Sequence, residues 1–392
     1  MKNRILRYFK HIIVTLLIGI PVFILIGLFT GNTLKYSRND LVDNWNNEGP
    51  YIFFKSDSLL QVNYIKGDVK EGFEVESFNL KTDSSIELNC YYPIDSSSFN
   101  LKLNSSFTSP KAVYSDTQKI LAISDIESNY KTFRDFLINN QVIDSTLNWI
   151  YGKNHLVLVG DFIDRSYFAT QVLWFIYKLE QDAKAKGGHV HYILGNHEIM
   201  NMQGDHRYAK LKYNHIASIL GKKQFELYDT NSFIGRWLTS KNTLELINGN
   251  LFVHGGISPE VAKSKWNIEK LNKLTRENYY KPYFPKKGGD GMTQILTSSK
   301  TSPYWYRGYY KADLSQKDID FGLEKFEAKA VIVGHTVQKE VNRKYNGKVI
   351  GIDVKHPQDY YAYFPSRESE GLLIEGDTYY RVLATGEKVE LH

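Results

Sequence analysis

The sequence has very little cysteine and no concentrated charge, and these two absences exclude several classes of protein. Its 392 residues include one cysteine, Cys90. An internal disulfide and a cysteine-based metal site are therefore both ruled out. The net charge of +6 is modest, and the basic residues are scattered apart from a small cluster at the N-terminus. Nucleic-acid binding is therefore not expected.

The remaining composition is that of a globular protein. Aromatic residues make up 14% of the chain and charged residues 23%, which leaves ample material for a buried core. A chain of this length exceeds one ordinary domain, so two domains are the default expectation.

One long apolar run lies near the N-terminus. Ile12 to Thr30 contains nineteen residues without a charge, about the length that crosses the hydrocarbon core of a membrane. The alternative is a cleaved signal peptide, but "LIGLFTGN" offers no A-x-A-like cleavage site. We therefore predict that residues 1–30 form a single-pass membrane anchor. The bulk of the chain would lie on the outer, periplasmic or extracytoplasmic side, because four basic residues precede the run: Lys2, Arg4, Arg7 and Lys10.

The composition and the pattern of apolar residues then change twice along the chain. Residues 31–48 are polar and are expected to form a tether. Residues 49–112 contain short runs rich in Tyr, Phe, Val and Ile with polar breaks, which predicts a small β-rich domain. This segment holds no histidine, and we assign it no chemistry. In residues 117–392, apolar strand-like runs alternate with longer amphipathic stretches, as in a layered α/β domain.

Polar side chains that can bind metals or phosphate follow five of these apolar runs. Each motif alone has a structural interpretation: the first could be two solvated acids in a turn, and the third could be the start of a helix. Ligands of open α/β sheets bind beyond the carboxyl ends of the strands, so the set in this order predicts one shared site. The residues, in chain order, are Asp125 with Glu127, Asp161 with Asp164 and Arg165, Asn196 with His197, His254, and His335.

These motifs resemble the signature of the calcineurin-like metallophosphoesterases over roughly residues 119–385. Two longer stretches, "GNHEIMNMQGDHRY" at 195–208 and "SPYWYRGYY" at 302–310, resemble the Shewanella-like branch of the phosphoprotein phosphatases. The resemblance implies an α/β fold whose layered core has two packed mixed sheets flanked by helices. The small β-rich domain and the transmembrane helix would precede this catalytic domain.

The resemblance also implies two divalent cations that share Asp161 as a bridging ligand. The first cation would also bind Asp125 and the residue at position 127. That position departs from the pattern, because Glu127 stands where the family has histidine. We expect Glu127 to act as a ligand, and the alternative is a solvated acid beside a partly empty first site. The second cation would bind Asn196, His254 and His335, and these ligands suit Mn, with Fe, Zn or Mg as alternatives.

Further roles follow from the same resemblance. His197 would be the general acid that protonates the leaving group, and Asp164 would orient its ring. Arg165, Asn196 and Arg307 would bind the phosphate. For Arg307, the alternative is a surface cation that lies against the neighbouring aromatic rings.

We therefore expect a membrane-anchored phosphomonoesterase in which a metal-bridged hydroxide attacks phosphorus. Its partners would be the membrane and a phosphorylated substrate, either a phosphoprotein or a small phosphate ester. One alternative is a metal-dependent phosphodiesterase or nucleotidase, but most diesterase branches carry a second histidine where this chain has Val337. The other alternative is a non-catalytic scaffold that binds phosphate or metal, and its chief support is Glu127.

Overall fold

The computed structural model describes residues 2–30, 32–84, 86–282, 291–311 and 314–392. The helices within these ranges are α1 Lys2–Phe29, α2 Tyr130–Asn139, α3 Ala169–Ala185, α4 Asn196–Met202, α5 Leu211–Ile219, α6 Phe233–Thr239, α7 Pro259–Lys263, α8 Ile268–Arg276, α9 Gly291–Thr297 and α10 Gln316–Glu324. The strands are β1 Leu34–Arg38, β2 Glu48–Ser56, β3 Leu59–Asp68, β4 Gly72–Lys81, β5 Glu87–Tyr92, β6 Ser97–Lys102, β7 Val113–Tyr114, β8 Ile120–Ile123, β9 His155–Val159, β10 His189–Ile193, β11 Leu244–Ile247, β12 Asn250–Val253, β13 Ala330–Val333, β14 Asn342–Lys344, β15 Val349–Gly351, β16 Tyr361–Phe364, β17 Glu370–Glu375, β18 Thr378–Leu383 and β19 Lys388–Glu390.

Two six-stranded mixed sheets form the centre of the α/β part. The first has the order β10-β9-β8-β17-β18-β19, with β8, β9 and β10 parallel and the other three strands antiparallel. The second has the order β14-β15-β13-β12-β11-β7, with β12, β13 and β15 parallel. The predicted core of two mixed sheets is confirmed.

The two sheets pack face to face, and the side chains of their central strands alternate between two buried clusters. One cluster lies between the sheets, and the other lies on the helix side. All five residues of β9 are buried. Val157 and Val159 belong to the cluster between the sheets, together with Phe252 of the second sheet. Leu156 and Leu158 belong to the cluster on the helix side. This is the alternation of side-chain direction expected of a strand that is covered on both faces.

The parallel strands bring the functional loops together. The carboxyl ends of β8, β9 and β10 lie at one edge of the first sheet, and those of β12, β13 and β15 lie at one edge of the second. The loops after β8, β9, β10, β12 and β13 carry the five motifs found in the sequence.

The β-rich segment packs closely onto the α/β part. Its strands form the sheets β2-β3-β4 and β5-β6. The Tyr51 hydroxyl lies 2.8 Å from Thr170 Oγ1 of α3, and Lys212 Nζ donates to Glu48 Oε2 at 2.9 Å in a fully buried ion pair. Apolar residues of this segment share one buried cluster with α2 and α3. The division into a β-rich domain and a catalytic domain stays a prediction.

The N-terminal region comprises α1 and a strand that follows it. The candidate membrane span, Arg4–Phe29, has 26 residues and a mean hydropathy of 3.0, and none of its most apolar stretch is buried. A membrane span and a signal sequence share these properties. Within the predicted tether, β1 pairs antiparallel with β16 near the end of the chain. That segment is therefore held against the α/β part along this strand.

Candidate active site

Backbone hydrogen bonds hold the first two motifs side by side. The Asp125 amide donates to the Gly160 carbonyl at 3.0 Å, and the Glu127 amide donates to the Asp161 carbonyl at 3.1 Å. Asp125, Glu127 and Asp161 have φ angles of 53°, 50° and 56°. This left-handed region is unfavourable for residues with a side chain, and such strain concentrates at functional sites.

Two glycines allow the motifs to approach one another closely. A Cβ atom on Gly195 would overlap the Asp161 carboxylate and lie 2.6 Å from the Asp161 amide nitrogen. A Cβ atom on Gly334, directly before His335, would lie 2.5 Å from Asp125 Oδ2. The glycines in "GNHE" and "VGHT" are therefore needed because the neighbouring carboxylates occupy the space of a side chain.

Glu198 holds the loop after β9, which carries Asp161, through hydrogen bonds to backbone amides. Its carboxylate accepts hydrogen bonds from the amides of Asp161, Phe162 and Gly195 at 3.0, 2.8 and 2.8 Å, and from the Tyr192 hydroxyl at 3.0 Å. No role in the site is predicted for Glu198 from the sequence. Its helix-start position in "GNHE" was visible, but the amides of the β9 loop that it binds are distant in sequence.

Three side chains form a compact cluster that can hold a metal ion. The ligand atoms of Asp161, His254 and His335 lie within 4.8 Å of one another, and all three residues are buried. Asp161 Oδ2 lies 3.0 Å from His254 Nε2, and Asn196 Oδ1 lies 3.3 Å from the same nitrogen. Four residues from four different loops thus converge, as the order of the motifs predicts.

Backbone carbonyl groups determine which nitrogen of each histidine carries the lone pair that could bind a metal. His254 Nδ1 donates to the Val159 carbonyl at 2.7 Å, so in the neutral imidazole Nε2 carries the lone pair beside Asp161. His335 Nε2 donates to the Trp305 carbonyl at 2.9 Å, which leaves the lone pair on Nδ1, where Arg307 Nη2 lies 3.3 Å away. A backbone acceptor on the far nitrogen is the usual way in which proteins orient a metal-binding imidazole.

Asp125 and Glu127, the other two predicted acidic ligands, are not members of this cluster of three residues but lie near it. Asp125 Oδ2 accepts the His335 amide at 3.1 Å, so Asp125 is buried against the loop that carries His335. Glu127 Oε1 lies 2.9 Å from Arg165 Nε in an ion pair. Within the described residues, Glu127 Oε2 has no hydrogen bond. One oxygen of Glu127 is therefore engaged by Arg165, and the other is free to bind a ligand.

The charges of the site fit a divalent cation. Burial raises the pKa of Asp125 to about 6 and that of Glu127 to about 7, and neighbouring acids add to both shifts. Burial alone would lower the pKa of His254, but Asp161 reverses this and raises it to about 9. All three pKa values are raised, and buried negative charge contributes to each shift. A divalent ion would offset this buried negative charge and displace any protons from these groups, so the residues present fit such an ion.

Asp353 is a further carboxylate that the sequence analysis missed. It follows β15, the parallel neighbour of β13, and is 4% exposed. Its side chain has no hydrogen-bond partner in the described part of the chain, and its pKa is raised first by burial and then by Asp125 and Glu127. The rule of polar residues after parallel strands applies to "VIGID" as well, and could have identified it.

His197 lies between Asp161 of the cluster and the carboxylate of Asp164. Its Nδ1 donates to Asp164 Oδ2 at 2.7 Å, and the other Asp164 oxygen accepts Asn201 Nδ2 at 2.9 Å. At Nε2, Asp161 Oδ2 lies 3.6 Å away and favours a proton, whereas Arg165 Nη2 lies 3.3 Å away and disfavours it. Burial lowers the pKa of His197, but Asp161 and Asp164 outweigh it and raise the pKa to about 9. The raised pKa keeps His197 protonated at neutral pH, with Nε2 at the edge of the metal cluster.

Two arginines flank the same region. Arg165 is 44% exposed and lies 5.0 Å from the ring centre of Tyr208. Arg307 is half-buried, and it donates to the His335 carbonyl and, at 3.3 Å, to Thr336 Oγ1. Arg307 therefore lies beside His335 at the candidate site. Burial lowers the pKa of Arg307, with nearby acids opposing the shift.

Oxygen and imidazole groups that could hold a divalent cation, a histidine with a raised pKa and two arginines lie together at the ends of parallel strands. This combination defines a metal-dependent hydrolase of phosphoric esters. The comparison with known sequences agrees, since the family described as Calcineurin-like phosphoesterase matches residues 118–339. The chain belongs to this family, whose members use divalent metal ions.

Individual relatives support the same conclusion. Shewanella-like protein phosphatase 2 of Arabidopsis thaliana is 27% identical over 314 residues, which cover 67% of this chain and 76% of the relative. Shewanella-like protein phosphatase 1 of Plasmodium berghei (strain Anka) is 29% identical over 261 residues, covering 60% and 66%. The solved cold-active protein-tyrosine phosphatase of a psychrophilic Shewanella species has a TM-score of 0.76 and 30% identity, covering 88% of this chain and 99% of its own. The resemblance to the Shewanella-like branch is confirmed, and the chain is a metal-dependent phosphatase.

Proposed function

We propose that the protein is a membrane-anchored phosphomonoesterase that uses two divalent metal ions and acts on phosphorylated proteins. The observation that carries this proposal is the position of Asp161. Its Oδ2 atom lies 3.0 Å from a histidine of the metal cluster, His254, and 3.6 Å from the acid, His197. One carboxylate thus borders both the groups that would bind metal and the group that would donate a proton.

The proposed metal ligands divide into two sets that share Asp161. When bound, the two ions supply the activation of a water nucleophile and the neutralisation of charge on the phosphoryl oxygens. Mn suits the mixture of oxygen and imidazole donors, with Fe, Zn and Mg as alternatives. The first set adds Asp125 and Glu127, the latter through the free Oε2 atom, and the second set adds Asn196, His254 and His335.

The other side chains supply proton transfer and binding. His197 would donate its Nε2 proton to the leaving oxygen, while Asp164 holds Nδ1 and thereby fixes the direction of the ring. Arg165, Arg307 and Asn196 would bind phosphoryl oxygens. The planar fork of an arginine matches two such oxygens at once, which a lysine cannot do.

A phosphomonoester is the proposed substrate because the last motif has no second histidine. Val337 stands in that position, and its side chain is 52% exposed. The names of the relatives, which are protein phosphatases and a protein-tyrosine phosphatase, support phosphoproteins as the natural substrates. Comparison of phosphopeptides, nucleotides and bis-p-nitrophenyl phosphate would separate this proposal from the nucleotidase and diesterase alternatives.

The proposed location is a membrane that α1 crosses once, with the catalytic part on the outer side. The length and hydropathy of α1 and the basic residues before its apolar stretch support this orientation. Membrane fractionation with protease added from outside tests it. A chain that lacks α1 and is found in the soluble fraction would show instead that α1 is a cleaved signal.

The activity is tested with metal-stripped full-length protein. We expect hydrolysis of p-nitrophenyl phosphate only after Mn or a similar cation is restored. His197→Ala should lower kcat strongly while the bound metal is retained, and the matched control His189→Ala, at an exposed histidine, should leave kcat unchanged. Activity that is absent with every divalent cation, or a His197→Ala protein that loses its metal, would contradict the proposed roles.

A further inference from the structure

The pair β1 and β16 forms a two-stranded ribbon with one basic face. Lys35 and Tyr363 are register partners, so their side chains project to the same face. Tyr361 lies two residues before Tyr363 on the same strand and therefore shares that face. The Lys35 ammonium lies 3.4 Å from the ring centre of Tyr361. Arg367, on the segment that follows the ribbon, lies 4.5 Å from the ring centre of Tyr363. The face that carries the two tyrosines thus also carries positive charge.

Lys210, directly before α5, adds a third positive charge next to this face. Lys35 and Lys210 each lie 5.9 Å from the ring centre of Tyr360, and Lys210 also lies 4.9 Å from that of Tyr167. The pKa of Lys35 is lowered first by burial and then by Lys210 and Arg367. The three cations are therefore close together, and we call Lys35, Lys210 and Arg367 the basic patch.

The cations of the basic patch form no ion pair with a carboxylate among the described residues. Lys35 Nζ donates to Gln358 Oε1 at 3.0 Å, and Arg367 Nε donates to Thr33 Oγ1 at 2.9 Å. Both acceptors are neutral, so the positive charge is not compensated. Like charges that are held together at a surface favour an anionic partner.

Hydrogen bonds join the segment before β16 to two loops of the candidate site. Asn129 Oδ1 accepts from Ser166 Oγ at 3.0 Å and from the Asp359 amide at 3.2 Å. Asn129 belongs to the loop after β8, and Ser166 belongs to the loop after β9, which also carries Arg165. Asp359 directly precedes Tyr360, the ring that Lys35 and Lys210 share. The basic patch and the candidate site are therefore built on neighbouring segments.

A more direct connection runs from the site to Lys210. The Arg165 amide donates to the Tyr208 carbonyl at 2.9 Å, and the Arg165 guanidinium lies 5.0 Å from the ring centre of Tyr208. Tyr208 and Lys210 are two residues apart, and two residues span at most about 7 Å. The basic patch thus begins close to the arginine that is proposed to bind phosphate.

We propose that the basic patch binds acidic side chains of a phosphopeptide whose phosphorylated residue lies in the candidate site. This inference rests on the proposed function as a phosphoprotein phosphatase. An extended peptide advances about 3.3 Å per residue, so acidic residues roughly two to six positions from the phosphorylated residue would reach the patch. Complementary charge at a contact surface favours one partner over another. The patch would therefore select phosphoproteins by the sequence around the phosphate, whereas a small phosphate ester would not reach it.

An anionic membrane would also complement the three cations, but the ribbon favours a peptide. Leu34 and Phe364 are register partners next to Lys35 and Tyr363, so this apolar pair projects to the opposite face. The two side chains are 41% and 59% exposed. A bilayer in contact with the cations would therefore leave the apolar pair in water. A peptide held at Arg165 needs only the basic face.

The test compares two phosphopeptides with the same phosphorylated residue, flanked at the second to sixth positions by either acidic residues or glutamines. With full-length, Mn-loaded protein in neutral detergent, we expect KM to be roughly five- to tenfold lower for the acidic peptide. This KM ratio should fall as salt is raised. The double variant Lys35→Gln, Arg367→Gln should reduce the ratio to about twofold or less and leave kcat unchanged.

The matched control is the double variant Lys119→Gln, Lys329→Gln. It removes the same charge from two exposed lysines that directly precede β8 and β13, at the opposite ends of these strands from the site loops. The KM ratio of this variant should equal that of the unaltered protein.

Three results would overturn the proposal. One is an equal KM for the two peptides in the unaltered protein, and another is a KM ratio that the Lys35→Gln, Arg367→Gln variant does not change. The third is an unchanged ratio together with altered activity of this variant only in vesicles that contain phosphatidylglycerol, which would show that the cations contact lipid.

Hydrolysis of p-nitrophenyl phosphate on the same samples separates this proposal from the proposed function. If that activity persists while the two peptides have equal KM values, only the basic patch is wrong. If p-nitrophenyl phosphate is hydrolysed but neither peptide is, the phosphoprotein substrate and the patch are both wrong. If no substrate is hydrolysed with any divalent cation, the proposed function itself is wrong.

Discussion

Asp164→Asn tests the role of His197 with the smallest change in shape. The substitution removes a negative charge from a buried hydrogen bond of 2.7 Å to His197 Nδ1. Its oxygen can still accept from Asn201, which leaves the new amide group facing the imidazole. A hydrogen bond to a charged group contributes about 1.5–3 kcal/mol. The pKa of His197 should therefore fall by about 1–2 units, and the chemical step should slow by roughly 10- to 150-fold.

The assay is the dependence of kcat on pH for two aryl phosphates. Because an acid matters most for a poor leaving group, the loss should be larger for phenyl phosphate than for p-nitrophenyl phosphate. The alkaline limb should move to lower pH, since His197 loses its proton more readily. Asp205→Asn, which breaks a surface ion pair with Arg207, is the matched control. It should change neither kcat for the two substrates nor the position of the alkaline limb. Equal losses for the two substrates with an unmoved alkaline limb would refute the assignment of His197 as the acid.

Three further predictions concern packing, protons and the buried ion pair. Gly195→Ala should abolish activity and lower metal content, because the new methyl group overlaps the Asp161 carboxylate; Gly291→Ala, with open space around it, should do neither in the same metal assay. The affinity for Mn, measured by calorimetry, should fall by roughly tenfold per pH unit below pH 8, because the metal must displace a proton from His254, whose pKa is about 9. Lys212→Met should lower the free energy of unfolding by about 3–5 kcal/mol in denaturant titrations, since its carboxylate partner stays buried without a cation.

Each of these has an outcome that contradicts it. An active Gly195→Ala protein would mean that the two loops can separate without loss of the site. An affinity for Mn that does not vary between pH 6 and pH 8 would show that no proton leaves on binding. The control for the ion pair is Lys329→Met, whose partner Asp377 is exposed. Equal destabilisation by both variants would show that burial of the carboxylate partner is not the cause.

The positions of the main motifs could be predicted from the sequence because they obey a local rule. Asp125, Asp161, Asn196, His254 and His335 each follow an apolar strand, and parallel strands place such residues at one edge of a sheet. The near-continuous apolar character of these strands is typical of burial on both faces. These features need only short windows of sequence, and the structure brings all five residues together.

Contacts between distant segments could not be predicted in this way. Glu198 binds amides of the loop after β9, and β1 pairs with β16 more than 300 residues away. Neither pairing leaves a local pattern, because both depend on how the whole chain packs. Glu127 is an intermediate case: its position beside Asp125 follows from the sequence, but its ion pair with Arg165 depends on the turns of two loops. Its role as a metal ligand stays a prediction.

The most direct test is a crystal structure of the Mn-loaded protein with anomalous scattering, combined with metal analysis of the same sample. Two ions per chain, both in contact with the Asp161 carboxylate, are predicted. Asp161→Asn should then lose bound metal, whereas Asp205→Asn should retain both ions. A single ion, or ions that do not touch Asp161, would contradict the account of the site.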